Sequence, residues 1–451
     1  MCVRKDEEEK QSVYEVGKSE ERSLHLLHET LRSMQGEARK NTKAIESIEG
    51  RIRGALPSTD TGGSLPQKKT PSGRTRVLHI NYSRGQRDSS AKAELDHLRF
   101  FVRTAGELGL RLEILTDTKS REDVERELAQ QDYETLDSTV LESQELVSKW
   151  AEDSVEYLKN GRVAVPNHFD EGLLEWAMTA GRKHRWQGMI PQETLEKALQ
   201  EDRSWILLGV RVNASRMAAI RERVERAKGK VVGHIRAYIE GGNAIAGEDA
   251  TGKSVAIVGK DAIGATAHIY RLDEDGVRQL ICEDFGLDSI EQVICVEQPG
   301  KFHLDMGMLF IGNGTVVLND SSEAFRAAVE MAELVPCLTT ETMAAKLKLQ
   351  YELEEEAAKD LKAAGIEIKR KNLESGRVYN FFNGEFVESK NGFKYFITNG
   401  GPKEQEEEFE ALMTREWKVV RKVIFSPREA ARKSLQEWGG VGCRVKGSYE
   451  S

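Results

Sequence analysis

Along the first 23 residues charged side chains crowd together without apolar periodicity, the pattern of a disordered tail. The pattern changes at Leu24. Leu24, Leu27, Leu31, Met34, Ala38, Asn41, Ile45, Ile48 and Ile52 step by three and four alternately, which is the spacing of a coiled-coil seam. This predicts a helix over 24–55 that makes a homo-oligomer through residues 24–52. The other reading is a lone amphipathic helix docked on the main domain. Gly36 and Gly50 are the weak points of the self-associating helix, each costing about 1 kcal/mol relative to alanine. Residues 56–75, LPSTDTGGSLPQKKTPSGRT, are rich in Pro, Gly, Ser and Thr and read as a flexible linker.

From Arg76 onward short β-branched runs alternate with helical stretches. Strands are predicted at 76–82, 111–116, 204–212, 230–240, 254–259, 291–296, 307–311, 315–318, 377–382, 394–398 and 417–425. Helices are predicted at 90–108, 213–228, 321–333, 340–364, 404–416 and 427–436. No second break in composition interrupts this series, so 76–451 is expected to form one α+β domain.

Composition narrows the function classes. No stretch of 18 or more apolar residues is present, which argues against a membrane protein. A net charge of −9 argues against general nucleic-acid binding, which needs a basic face, although a local cluster of lysines would escape that argument. Five cysteines without a CxxC pair give neither a zinc site nor a disulfide framework and suit a reducing compartment. The start, MCVRKDEEEK, has no apolar stretch of the secretory type, so a cytoplasmic location is expected.

Four segments carry candidate chemistry. In WGGVGCRVKG (438–447), Cys443 follows three glycines, which allow a tight turn and close approach of a substrate. In PGKFHLDMGMLFIGNG (299–314), His303 and Asp305 lie two apart at the predicted start of a strand. That spacing would send an imidazole and a carboxylate to one face, as general acid/base work requires. In YIEGGNAI (238–245), Glu240 ends a predicted strand before Gly241, Gly242 and Asn243. In KWAEDSVEYLKNGRVAVP (149–166), Asp153 follows Trp150.

The order W-x-x-D, E-G-G-N, F-H-L-D and a late G-G-x-x-C resembles the guanidino-group-modifying superfamily, over roughly residues 76–451. That superfamily includes arginine and agmatine deiminases, dimethylarginine dimethylaminohydrolase, peptidylarginine deiminases and amidinotransferases. The resemblance implies a pentein fold, a five-bladed αβ propeller of ββαβ modules around a narrow polar channel. It implies Cys443 as nucleophile, His303 as proton carrier, and Asp153, Glu240 and Asp305 as guanidinium-holding carboxylates, with Trp150 and Asn243 at the substrate. The expected activity is a deiminase acting on a small guanidine or a protein arginine side chain, without cofactor or metal. An amidinotransferase using the same residues and a non-catalytic binding protein are the alternatives.

Two positions depart from the family: Glu152 stands where relatives often carry an arginine before the aspartate, and Gly442 precedes Cys443 where some relatives carry a histidine or arginine. A decoy is also present. GEDATGKS (247–254) fits the phosphate-loop pattern, but the β-branched VAIVG that follows predicts a strand instead of the helix such a loop opens. A β-hairpin turn is expected there.

Overall fold

The chain divides into two units, residues 1–57 and 58–451. The computed structural model describes residues 61–84, 88–130, 136–143, 147–153, 155–166, 232–239, 241–270, 272–299, 303–375, 378–437 and 439–449, all within the second unit. The predicted tail, the coiled-coil helix, the strand at 204–212 and the helix at 213–228 lie outside these residues.

Val77–Tyr82 forms β1, buried along nearly its whole length as a strand covered on both faces must be. The helix α1 (Asp88–Leu108) carries the chain over to β2 (Arg111–Asp117), which lies parallel to β1. A second helix, α2 (Arg121–Ala129), leads to β3 (Ser138–Ser143), parallel to β2. On its other side β1 pairs antiparallel with β18 (Val445–Ser448) from the far end of the chain. The two ends of the described chain thus meet in one sheet.

Antiparallel pair, then crossover, then parallel strand is a pattern that recurs. β4 (Glu156–Tyr157) and β5 (Val163–Pro166) form a hairpin, and β6 (Val232–Ile235) lies parallel to β5. β7 (Ala244–Glu248) and β8 (Ser254–Gly259) form the next, followed by α3 (Lys260–Tyr270), α4 (Glu274–Phe285) and the parallel β9 (Val293–Val296). β10 (Met308–Gly312) and β11 (Thr315–Leu318) are crossed by α5 (Ser322–Leu334) and the long α6 (Leu338–Ala363) to β12 (Glu367–Arg370). A two-stranded ribbon, β13 (Glu374–Ser375) with β14 (Tyr379–Asn380), precedes the last unit. That unit is β15 (Gly384–Glu388), β16 (Lys394–Thr398), α7 (Lys403–Ala411) and β17 (Lys422–Phe425). Two short helices, α8 (Arg428–Gln436) and α9 (Val441–Arg444), complete the described set and lead into β18.

Helices cover the sheets with the apolar residues that the sequence places at helical spacing. Leu98, Phe101, Val102 and Ala105 of α1 pack with Leu78, Ile80, Leu112 and Ile114. Ala357, Ala358 and Leu361 of α6 pack with Met308, Phe310, Val316 and Leu318.

Three predicted strands lose more than half of their expected length, each for a local reason. The run at 230–240 stops at Ile235 because the Arg236 backbone N–H donates to Asp284 Oδ2. The run at 377–382 stops at Asn380, whose side-chain oxygen accepts from the Phe382 and Asn383 backbone N–H groups and turns the chain. The run at 417–425 begins only at Lys422, after Lys418 adopts a positive φ of 55°. The phosphate-loop pattern is the expected hairpin turn. Asp249 Oδ1 accepts from the backbone N–H groups of Thr251 and Lys253, donors that a phosphate would need.

The described part of the predicted linker corrects that expectation. Thr61 is fully buried and donates to the Asp284 carbonyl, Pro66 bridges Leu158, and Lys69 donates its backbone N–H to the Ala246 carbonyl. Turn-forming composition here serves an extended strap crossing strand edges, where side chains need little room. Among the described residues no helix is long and apolar enough to cross a membrane.

Candidate active site

Each hairpin's first strand, and β18 likewise, is entered through a short turn, and these turns carry the candidate residues. Asp153 precedes β4, the 3₁₀ turn Gly241–Asn243 precedes β7, and the turn Leu304–Met306 with His303 as its cap precedes β10. Asn380 to Asn383 precede β15, and Cys443 lies in α9 immediately before β18.

The five turns touch one another in chain order and the last meets the first. The Glu152 backbone N–H donates to the Cys443 carbonyl at 3.2 Å. Glu152 lies against Gly241, where a Cβ would come within 2.4 Å of its side chain. At Gly242 a Cβ would stand 2.3 Å from Asp305 Oδ1 and 2.8 Å from His303 Nδ1, so only glycine admits the two functional groups there. Asn383 Nδ2 donates to Asp305 Oδ2 at 2.8 Å and to Cys443 Sγ at 3.3 Å, while its Oδ1 accepts from the Cys443 backbone N–H.

His303, Asp305 and Cys443 are all buried, and their ligand-type atoms lie within 4.8 Å of one another. The proximity arises differently from the sequence expectation. His303 is extended (φ −114°, ψ 148°) but Asp305 belongs to a 3₁₀ turn, and the strand begins only at Met308. Imidazole, carboxylate and thiol also form a donor set of the zinc type. The Asn383 amide donates to two of the three, Asp305 and Cys443.

Burial and neighbouring carboxylates set the electrostatics of the site. Burial pushes the Cys443 thiol far above its usual range, and the charges of Asp305 and Asp153 push it further. The Asn383 amide opposes the shift by donating to sulfur. Burial likewise raises Glu385 to about 7, against the pull of Lys69 and Lys446.

Trp150 packs with Met306, Leu435 and Cys443, and the Arg444 guanidinium lies over its ring at 5.2 Å. Asn243 is buried in the Gly241–Asn243 turn. Glu240 lies outside the described residues. Two residues that sequence reasoning passed over belong to the site. Asn383 is one; the Asn-Gly pair at 383–384 signals a turn, and its place before a strand matches the other four turns. Lys69 is the other, paired with Glu152 and 3.8 Å from Asp305 Oδ2. The acid at 152 thus has its own buried counter-charge, delivered by the strap.

No family model matches the sequence, and no curated protein matches it. Among solved structures, one described as a candidate agmatine deiminase aligns with a TM-score of 0.56 at 12% identity, over 88% of this chain and 98% of that one. The fold is that of the pentein enzymes. A second solved structure, the cyanobacterial arginine dihydrolase ArgZ, aligns at a TM-score of 0.34 and 10% identity, over 84% of this chain and 39% of that one. In the pentein frame, the entry turns of the modules are the parts that meet around Cys443.

Proposed function

We propose that this protein hydrolyses a guanidinium group to a ureido group and ammonia, with Cys443 as nucleophile. The observation that carries the proposal is the buried Cys443–His303–Asp305 cluster, whose thiol is held neutral first by burial and then by the charges of Asp305 and Asp153. A guanidinium is planar, cationic and resonance-stabilised, so its carbon resists water. Asp153 and Asp305, with Glu240, would hold its N–H groups by charge-assisted hydrogen bonds. The same cation offsets the charges that raise the thiol, so substrate binding favours the thiolate.

The Cys443 proton passes to His303, and the thiolate forms a bond to the guanidinium carbon. The C–N bond breaks and ammonia departs with a proton from His303. Water then attacks the resulting thiouronium carbon as His303 takes its proton, the C–S bond breaks, and the ureido product leaves. No redox step and no cofactor enter. Around this centre the five modules would close as propeller blades, with residues 24–52 making the homo-oligomer.

The test is a colorimetric assay for ureido products with free arginine, agmatine, a methylated arginine and a peptidyl arginine. At least one should be turned over by the full chain and none by Cys443→Ala, which should stay folded. Turnover in Cys443→Ala, or an amidino group passed to an added amine in place of water, would contradict hydrolysis by this thiol.

A further inference from the structure

The strands that begin at the active-site turns end at a second feature. Tyr157, Glu248, Glu388 and Ser448 close β4, β7, β15 and β18, and all four line a cleft of about 990 Å³. At about 3.3 Å of rise per residue, strands of this length separate the cleft from the Cys443 cluster by roughly 15 Å. None of Cys443, His303, Asp305, Asp153 or Asn383 lines it.

The cleft runs against the charge of the chain, which is −9 overall. Arg74, Arg76, Lys159, Arg162 and Lys394 line it against two carboxylates, Glu248 and Glu388. Both carboxylates already have cations on them: Arg76 Nη2 lies 2.6 Å from Glu388 Oε1, and Lys68, from the strap, is paired with Glu248. Lys68 also sits beside Lys159, and burial together with that second ammonium lowers it to about 8. Like charges held together beside a cleft create a demand for an anion. Ser72, Ser448 and Tyr449 add hydroxyl groups to the lining.

We infer that this cleft is a second binding site, separate from the guanidinium centre, which takes a small molecule bearing two or more phosphate groups. Spread cations with interleaved hydroxyls match several phosphate oxygens better than one carboxylate. The volume falls within the range of small-molecule sites. Consecutive residues of an extended segment point to opposite sides, and so Lys68 reaches Glu248 at the cleft while Lys69 reaches Glu152 and Asp305 at the active site.

The test is calorimetric titration of the full chain with inorganic tripolyphosphate, ATP and citrate. Tripolyphosphate and ATP should each bind saturably. The double variant Lys159→Glu/Lys394→Glu should weaken both by about tenfold or more, the loss of charge-assisted contacts, with its melting temperature checked beforehand. Should that variant fail to fold, Arg74→Gln should show a smaller loss in the same direction. Binding of both phosphates weaker than about 1 mM would overturn the inference. So would affinity unchanged in a folded variant, citrate binding as tightly as tripolyphosphate, or ATP binding without tripolyphosphate.

Discussion

At Asn383 a single amide touches both the thiol sulfur and the carboxylate of Asp305, and its oxygen accepts from the nucleophile's own backbone N–H. Asn383→Asp keeps the shape but replaces the donor with a further negative charge. Under the proposed mechanism kcat/KM should fall by about 10- to 100-fold, since hydrogen bonds to charged groups contribute about 1.5–3 kcal/mol. The pH dependence of Cys443 alkylation should also shift upward; an unchanged rate and profile would remove Asn383 from the site. His303→Asn should lower kcat by about 10²- to 10⁴-fold with KM largely retained, because it handles protons in both steps. A rise in KM alone would contradict that role. The sequence singled out Cys443, His303 and Asp305 through the order of motifs that resembles the guanidino-modifying superfamily, each signal being weak alone, and the fold brings the three together. Asn383 was not legible there, because Asn-Gly also marks any ordinary turn, and only the folded ring of turns shows what this one touches.

The element that positions Cys443, the proposed nucleophile, is α9, and its anchor is the next residue. Arg444 donates from Nη1 and Nη2 to Glu94 of α1, from Nε to Ser434 of α8, and covers the Trp150 ring. Burial opposes ionisation of Glu94, yet Arg444 and Lys149 hold its carboxyl down at about 2, against an ordinary 4.5. A depressed carboxyl contributes stability above its unfolded pKa, and that contribution is lost as pH falls from about 4.5 towards 2. Glu94→Gln should therefore flatten the acid limb of the stability profile. It should also cost about 3–5 kcal/mol near pH 7, because the buried Arg444 loses its counter-charge. Denaturant titration across pH measures both, and an acid limb identical to wild type would contradict the assignment.

The strap makes a parallel case. Lys69→Met strands the buried Glu152 and should destabilise the fold, and Glu152→Gln added to it should recover much of the loss. Equal stability of the single variant and wild type would show that the strap is not fastened there. Long periodic elements such as α1 and α6 were legible from spacing. The strap was not, because its buried lysines and threonines read as solvated until their partners, more than 80 residues away in sequence, are placed beside them.

Across the whole molecule, five sheets among the described residues repeat one connection, yet no repeat shows in the sequence. The modules share topology and not side chains. One crossover is the single helix α7, and another is the long hairpin of α5 and α6. Common to them is a candidate site residue at the start of the first strand, with a different residue in each turn. That division makes the central claim testable at one atom. The chain should be treated with 2-chloroacetamidine, a cationic mimic of guanidinium, and in parallel with neutral chloroacetamide, then digested and mapped by mass spectrometry. The cation should modify Cys443 and be blocked by excess guanidine, because the pocket activates the buried thiol only when a positive charge enters it. The neutral reagent should leave Cys443 unmodified and reach the exposed Cys337. Modification of Cys337 by both reagents with Cys443 untouched by either would contradict the account.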